Sequence, residues 1–160
     1  MSATFEDLRV LKSAEEIADT IWKNVVQWDG FAKDVVGKQL RRAVDSIGAN
    51  ISESFGRFHF GEKLQFLYYA RGSLFETKYW LNRVKTCSLM PVSEVEVHIE
   101  NITNLARQLN TFASSLKNVR NQETKQSKTL REMAAGYQID APSNTADNLF
   151  DDNDLAWLKS

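Results

Sequence analysis

At 160 residues, with 42% hydrophobic and 26% charged, the chain has the size and composition of one soluble globular domain. A single Cys, Cys87, excludes an internal disulfide, and no apolar run approaches the ~20 residues needed to span a bilayer. The net charge of −1 is far from the basic excess of a dedicated nucleic-acid binder.

The charge is unevenly placed. Residues 1–120 hold 16 Lys+Arg and 14 Asp+Glu, whereas residues 121–160 hold 4 and 7. The body is weakly basic and the C-terminal segment acidic. Only 7 Gly and 2 Pro are present, which favours long helices over many short strands. The N-terminus, MSATFEDLRVLK, lacks the basic-then-apolar pattern of a signal peptide, so the expected location is the cytoplasm.

A first helix is expected from Ser13 to Trp28. Leu11, Ala14, Ala18, Ile21, Val25 and Trp28 recur at alternating three- and four-residue steps, the pattern of one buried helical face. FEDLRVL before it either extends the helix or leads into it, and Asp29-Gly30 ends it. The second helix is expected from about Asp34, as N-cap, to about Phe58. Its apolar stripe is Leu40, Val44, Ile47, Ile51, Phe55 and Phe58. Gly37, Gly48 and Gly56 each weaken a helix by roughly 1 kcal/mol against Ala, which suggests close approach of a neighbouring backbone, or for Gly56 a place near the helix C-cap.

Gly61 precedes a third helix, from about Glu62 to Ser88. It carries two apolar sides, one with Leu64, Leu67, Tyr68, Leu74, Phe75 and Tyr79, the other with Phe66, Ala70, Ser73, Thr77, Trp80 and Val84. Both sides need cover, from a neighbouring subunit or from an unusually wide contact with the fourth helix. Met90-Pro91 breaks the chain, and Pro91 or Ser93 then opens a fourth helix to about Arg120, with Val95, Ile99, Ile102, Ala106, Leu109, Ala113 and Leu116 in heptad register. The expected fold is all-α: an up-down-up-down four-helix bundle over residues 1–120. Residues 121–160 are expected to form a helical extension and a partly disordered acidic tail. Within that tail, Leu149, Phe150, Leu155, Trp157 and Leu158 suit a peptide docking on a partner's groove; a merely solubilising tail is the alternative.

No constellation for catalysis stands out. His59 and His98 have no His or Cys at metal-ligand spacing, and each suits a surface or capping position. The residue three before His98 is Val95, so the Glu-x-x-His of di-iron bundles is missing. No nucleophile stands beside a base, and no Gly-rich loop cradles phosphate. The expectation is a protein without metal, cofactor or enzymatic activity.

The basic residues say more. Lys33, Lys38 and Arg41 on the second helix, with Arg71 and Lys78 on the third, are candidates for phosphate contact. Solvated faces or intersubunit pairs are the alternative. Arg42, Ser46, Asn50, Glu53 and Arg57 form a polar line opposite the second helix's apolar stripe. Glu53 precedes Arg57 by four residues, the favourable orientation for an intrahelical pair. This line, with Trp80, is assigned to helix–helix or subunit–subunit contact.

QLRRAVDSIGANISESFGR resembles the signature of the four-helix-bundle proteins encoded in intervening sequences of bacterial 23S ribosomal RNA genes. The matching positions are Gln39, Arg41, Arg42, Ala43, Ser46, Ile47, Asn50, Ile51, Glu53 and Arg57. Phe5, Asp7, Leu8 and Val10 resemble the family's opening, and Phe66, Leu67, Ala70, Gly72, Ser73, Leu74 and Glu76 its third helix. Ser54 replaces the usual Gly after the Glu, and Gly48 takes the usual Pro position. The resemblance covers about residues 5–120. It implies a ring-like homopentamer and relates the chain to the nucleic-acid-binding accessory protein of diversity-generating retroelements. Two functions follow as expectations: an oligomeric adaptor for structured RNA, DNA or a protein–RNA complex, or a scaffold presenting several tails to a protein partner such as a reverse transcriptase. No membrane partner is expected.

Overall fold

The computed structural model describes residues 5–135 and 148–160. These residues are helical with short connections. Helix α1 spans Phe5–Val25 and α2 spans Lys38–Gly56. Helix α3 spans Phe60–Thr86, α4 Val92–Ala135, and α5 Asp152–Lys159.

The segment FEDLRVL extends the first helix. Val10, Ala14, Ile17, Ala18, Ile21 and Val25 are buried along one side of α1. Asp29, rather than Asp34, is the cap after it, because its Oδ1 accepts from the Ala32 N–H at 2.9 Å. The turn Gly30–Ala32 runs into a π-helical turn, Lys33–Gly37, and then into α2 without a break. Gly37 lies against Val25 and Trp28. A Cβ there would sit 2.7 Å from Val25 Cγ1, which accounts for one of the three helical glycines. Gly37→Ala is therefore expected to lower stability by about 1–3 kcal/mol, the usual penalty for overpacking, measured by chemical denaturation. Gly48 makes only ordinary contact with Ala14, and a Cβ on Gly56 would meet open space.

Three residues separate α2 from α3, and five separate α3 from α4, so consecutive helices run antiparallel. Packing closes the ring: α1 lies on α2 and α4, and α3 lies on the same two. Leu40, Val44, Ile47 and Ile51 from α2 meet Leu67, Leu74 and Leu81 from α3 in one core with Val95, Ile102 and Leu109 from α4. At the α3–α4 turn Ser88 adopts φ 53°, a left-handed conformation that costs a non-glycine residue about 1–2 kcal/mol.

The fourth helix continues past Arg120 to Ala135, as the helical extension expected after residue 120. Arg120 stacks over Phe60 at the start of α3, so the last turns of α4 run past the end of the bundle. Of the tail expected beyond this extension, only the end is described, and it is folded. Residues 136–147 lie outside the described residues, but 148–160 are ordered and carry α5 against the bundle.

Candidate functional site

Among the described residues, a set of specific polar contacts holds the C-terminal segment. Asp151 caps α5 by accepting from the Asp154 N–H at 2.7 Å, and Asp154 reciprocates from the Asp151 N–H at 3.0 Å. This capping box makes a short helix from an acidic sequence. Arg71 of α3 then donates to both carboxylate oxygens of Asp154, at 3.0 and 2.9 Å. From α4, Asn110 reads the backbone of Phe150 in both directions, its Nδ2 donating to the carbonyl and its Oδ1 accepting from the N–H, each at 2.7 Å. A side-chain amide used in this way fixes register as one strand fixes another. Burial raises the Asp154 carboxyl, but the Arg71 hydrogen bond, the Asp151 N–H and the Arg71 charge outweigh it and hold it below its ordinary value.

Apolar contacts fill in around these bonds. Leu149, Phe150 and Leu158 are buried. Phe75 of α3 stacks on Phe150 and on Trp157, with ring centroids 6.0 and 5.2 Å apart. The Arg71 guanidinium lies 4.7 Å from the centre of the Phe75 ring. Leu155 is half-buried, and Trp157 leaves 44% of its surface exposed. The five tail residues assigned to a partner thus sit on this chain's own bundle. Their groove is the α3 side that carries Phe75, one of the two sides that needed cover. Tyr68 and Tyr79, in register with Phe75, are still exposed.

This docking revises the assignment of the cations. Arg71 is spent on Asp154 and the aromatic stack. Lys78 is wholly buried and its Nζ has no hydrogen-bond partner, so it reaches no phosphate from this position. Burial, and secondarily the charge of Lys85, push the Lys78 ammonium below its ordinary pKa. Arg41 donates to Asp45 at 2.7 Å and to the Ala18 carbonyl at 3.3 Å while stacking over Trp22. Of the five, Lys38 is exposed and Lys33 half-buried.

The polar line on α2 is structural at its centre. Asn50 donates to the Ser46 carbonyl at 2.8 Å and to Ser46 Oγ at 3.2 Å. Ser73 of α3 donates to the same Oγ at 2.9 Å, a helix–helix bond of the expected kind. Glu53 and Arg57 pair within the helix, and Arg57 also covers Phe66. Arg42 is exposed and makes no bond to the described residues. Trp80 is half-buried against the core, edge-on to Tyr79. The Ser54 hydroxyl is buried without a partner.

His98 is buried rather than at the surface. Its Nε2 lies 3.2 Å from Asn24 Nδ2, and burial lowers its pKa against the opposing charge of Glu94. Among the described residues no group of three or more His, Cys, Asp or Glu could hold a metal ion, and no helix is long and apolar enough to cross a membrane.

Two features escaped the sequence reading. One is Asn110, whose only signal is a polar residue beside Leu109 on an apolar helix flank. The other is a groove of about 290 Å³ between α1 and α4, lined by Arg9, Arg107, Gln108, Thr111 and Ser115 around Val10 and Phe112. Arg9 is exposed, Arg107 donates to Asn104 Oδ1 at 2.7 Å and pairs more loosely with Glu100 at 3.9 Å, and the Gln108 Oε1 is buried without a partner. The two arginines are 98 positions apart in sequence, so no local motif announces them.

No curated protein matches the chain. The pattern of the 23S rRNA-intervening sequence protein matches residues 6–111, which takes in α1, α2, α3 and the first half of α4 and leaves α5 outside. A match over most of the chain, with the helical bundle that houses it, shows that this protein belongs to the 23S rRNA-intervening sequence protein family.

Proposed function

We propose that the protein is a non-enzymatic, ring-like homopentameric adaptor that binds structured RNA or a protein–RNA complex. The observation that carries the nucleic-acid reading is the α1–α4 groove, where Arg9 and Arg107 flank the Gln108 amide. Guanidinium groups supply paired N–H donors that match phosphate oxygens. Exposed Lys38 and Arg42 add cations on α2. Family membership supports a role linked to RNA. Exposed aromatics, above all Phe31 at 79% and Phe58 at 88%, support burial against further copies. Presenting free tails to a protein partner is the weaker reading, because the tail's apolar residues already face the α3–α4 groove.

A salt titration of binding to a structured 23S rRNA fragment, with light scattering on the same sample, tests the proposal. The expected results are a pentamer and an affinity that falls log-linearly with salt. Charge reversal at both Arg9 and Arg107 is expected to weaken binding by ten-fold or more without changing the particle mass. A monomer, or no binding at low salt, would overturn the reading.

A further inference from the structure

We infer that the α3–α4 groove is a second RNA site, for single-stranded adenine-containing RNA, and that residues 148–160 are its built-in competitor. The inference takes its ligand class from the RNA reading above but concerns a different face of the bundle.

Each contact that seats the segment has a nucleotide counterpart. Arg71 donates to both carboxylate oxygens of Asp154, and a guanidinium takes two oxygens of a phosphate in the same way. The Phe75 ring lies nearly parallel to Phe150 and Trp157, at 11° and 23°, the arrangement in which an aromatic side chain stacks on a base. Asn110 sets a donor and an acceptor side by side against the Phe150 backbone. The same two atoms match N7 and N6 of adenine, the base an Asn amide pairs with best. The segment thus offers an anion, flat rings and a donor–acceptor edge, which are the features a nucleotide offers.

The groove also contains a cation that the segment leaves unsatisfied. Lys78 follows Phe75 by three residues and Arg71 by seven, so the three share a face of α3. Lys78 is wholly buried, and its Nζ has no hydrogen-bond partner. The Asp154 carboxylate serves Arg71 alone, whereas the phosphates of a strand would serve both cations.

Charge and chain position agree with competition. Residues 148–160 hold three Asp against one Lys, an acidic strip laid on a cationic face. Arg71, Phe75, Lys78 and Asn110 all fall inside the family match over residues 6–111, and the segment falls outside it. The groove and its cover are therefore separate features of the chain. A site open in about one molecule in a hundred binds its ligand about 100-fold more weakly than the same site left open.

Fluorescence anisotropy of full-length variants with a labelled oligoadenylate of about 12 nucleotides tests the inference. Phe150→Ala changes no charge, so a gain in this variant reports release of the groove. It should bind at least ten-fold more tightly than the natural protein, and adding Arg71→Gln should remove the gain. The released groove should prefer oligoadenylate to oligouridylate, and Asn110→Ala should abolish that preference. Asp154→Asn should tighten binding several-fold more than Asp152→Asn, an equal change of charge at an exposed residue; this pair decides the matter if circular dichroism shows Phe150→Ala unfolded. All these variants keep Arg9 and Arg107, so binding at the α1–α4 groove succeeds or fails separately. Unchanged affinity in folded Phe150→Ala, a gain that survives Arg71→Gln, equal binding of the two oligonucleotides, or equal effects of the two Asp substitutions would each overturn the inference. Binding of an added peptide of residues 148–160 to Phe150→Ala, with no gain for oligoadenylate, would assign the groove to acidic peptides and overturn it as well.

Discussion

Phe150→Ala is expected to lower the unfolding free energy of the full-length protein by about 3 kcal/mol, the low end of the range for a buried Phe truncated to Ala. The ring is 1% exposed, lies against Phe75, and shares the Arg71 guanidinium with it. Its loss leaves Leu149 and Leu158 with a damaged groove and weakens the hold of Asn110. The effect has a ceiling set by the architecture. Once the segment detaches, nothing more can be lost from it, so Phe150→Ala cannot cost more than deleting residues 148–160 outright. Denaturation of the two variants side by side checks both the magnitude and the ceiling. Limited proteolysis should show faster cleavage at Trp157 in Phe150→Ala. Equal stability of all three proteins would show that the segment contributes nothing.

Lys78→Met is expected to act in the opposite direction and raise stability by about 1–3 kcal/mol at neutral pH. An ammonium group buried without a partner costs the folded state its lost hydration. Methionine fills similar volume without that cost. The pH dependence follows from the same cause. Burial places the native pKa of Lys78 below its ordinary 10.5. Between the lowered native value and 10.5 the unfolded chain therefore holds more protons than the folded one. Stability of the natural protein then rises with pH across that window and stays flat below it. Lys78→Met should remove this rise. A destabilised Lys78→Met variant would instead show that the ammonium is paired in the assembled protein.

Periodicity alone gave the bundle away. The stripes on α1, α2 and α4 are those of the core, except that α2 ends at Gly56 and leaves Phe58 exposed beyond it, and α4 buries the expected positions from Val95 to Ala113. The turn into α2 was less legible, because a π-helical turn adds a residue to the helical repeat and shifts the cap to Asp29. Lys78 was misplaced because residue type was weighed above register. It stands four residues after Leu74 and three before Leu81, both fully buried, and that spacing assigns it to the interior. Arg71 was misplaced for a different reason. Its partner, Asp154, is 83 residues away, and no local pattern joins them. The two-sided third helix and the aromatic tail were both visible as unsatisfied surfaces. Their satisfying each other is a tertiary fact, set by Asn110 and Arg71 in the middle of separate helices. The groove at Arg9 and Arg107 was hidden for the same reason.

The account turns on the C-terminal segment being a folded part of the molecule, seated by Asn110. Hydrogen exchange at the Phe150 amide tests this most directly, because that N–H has Asn110 Oδ1 as its bonding partner. In the full-length protein it should exchange at least ~100-fold more slowly than in a free peptide of residues 148–160, as expected for an amide released only by opening of about 3 kcal/mol. Asn110→Ala should bring it close to the peptide rate while the core amides of α2 stay protected. A Phe150 amide that already exchanges at the peptide rate in the natural protein would contradict the account.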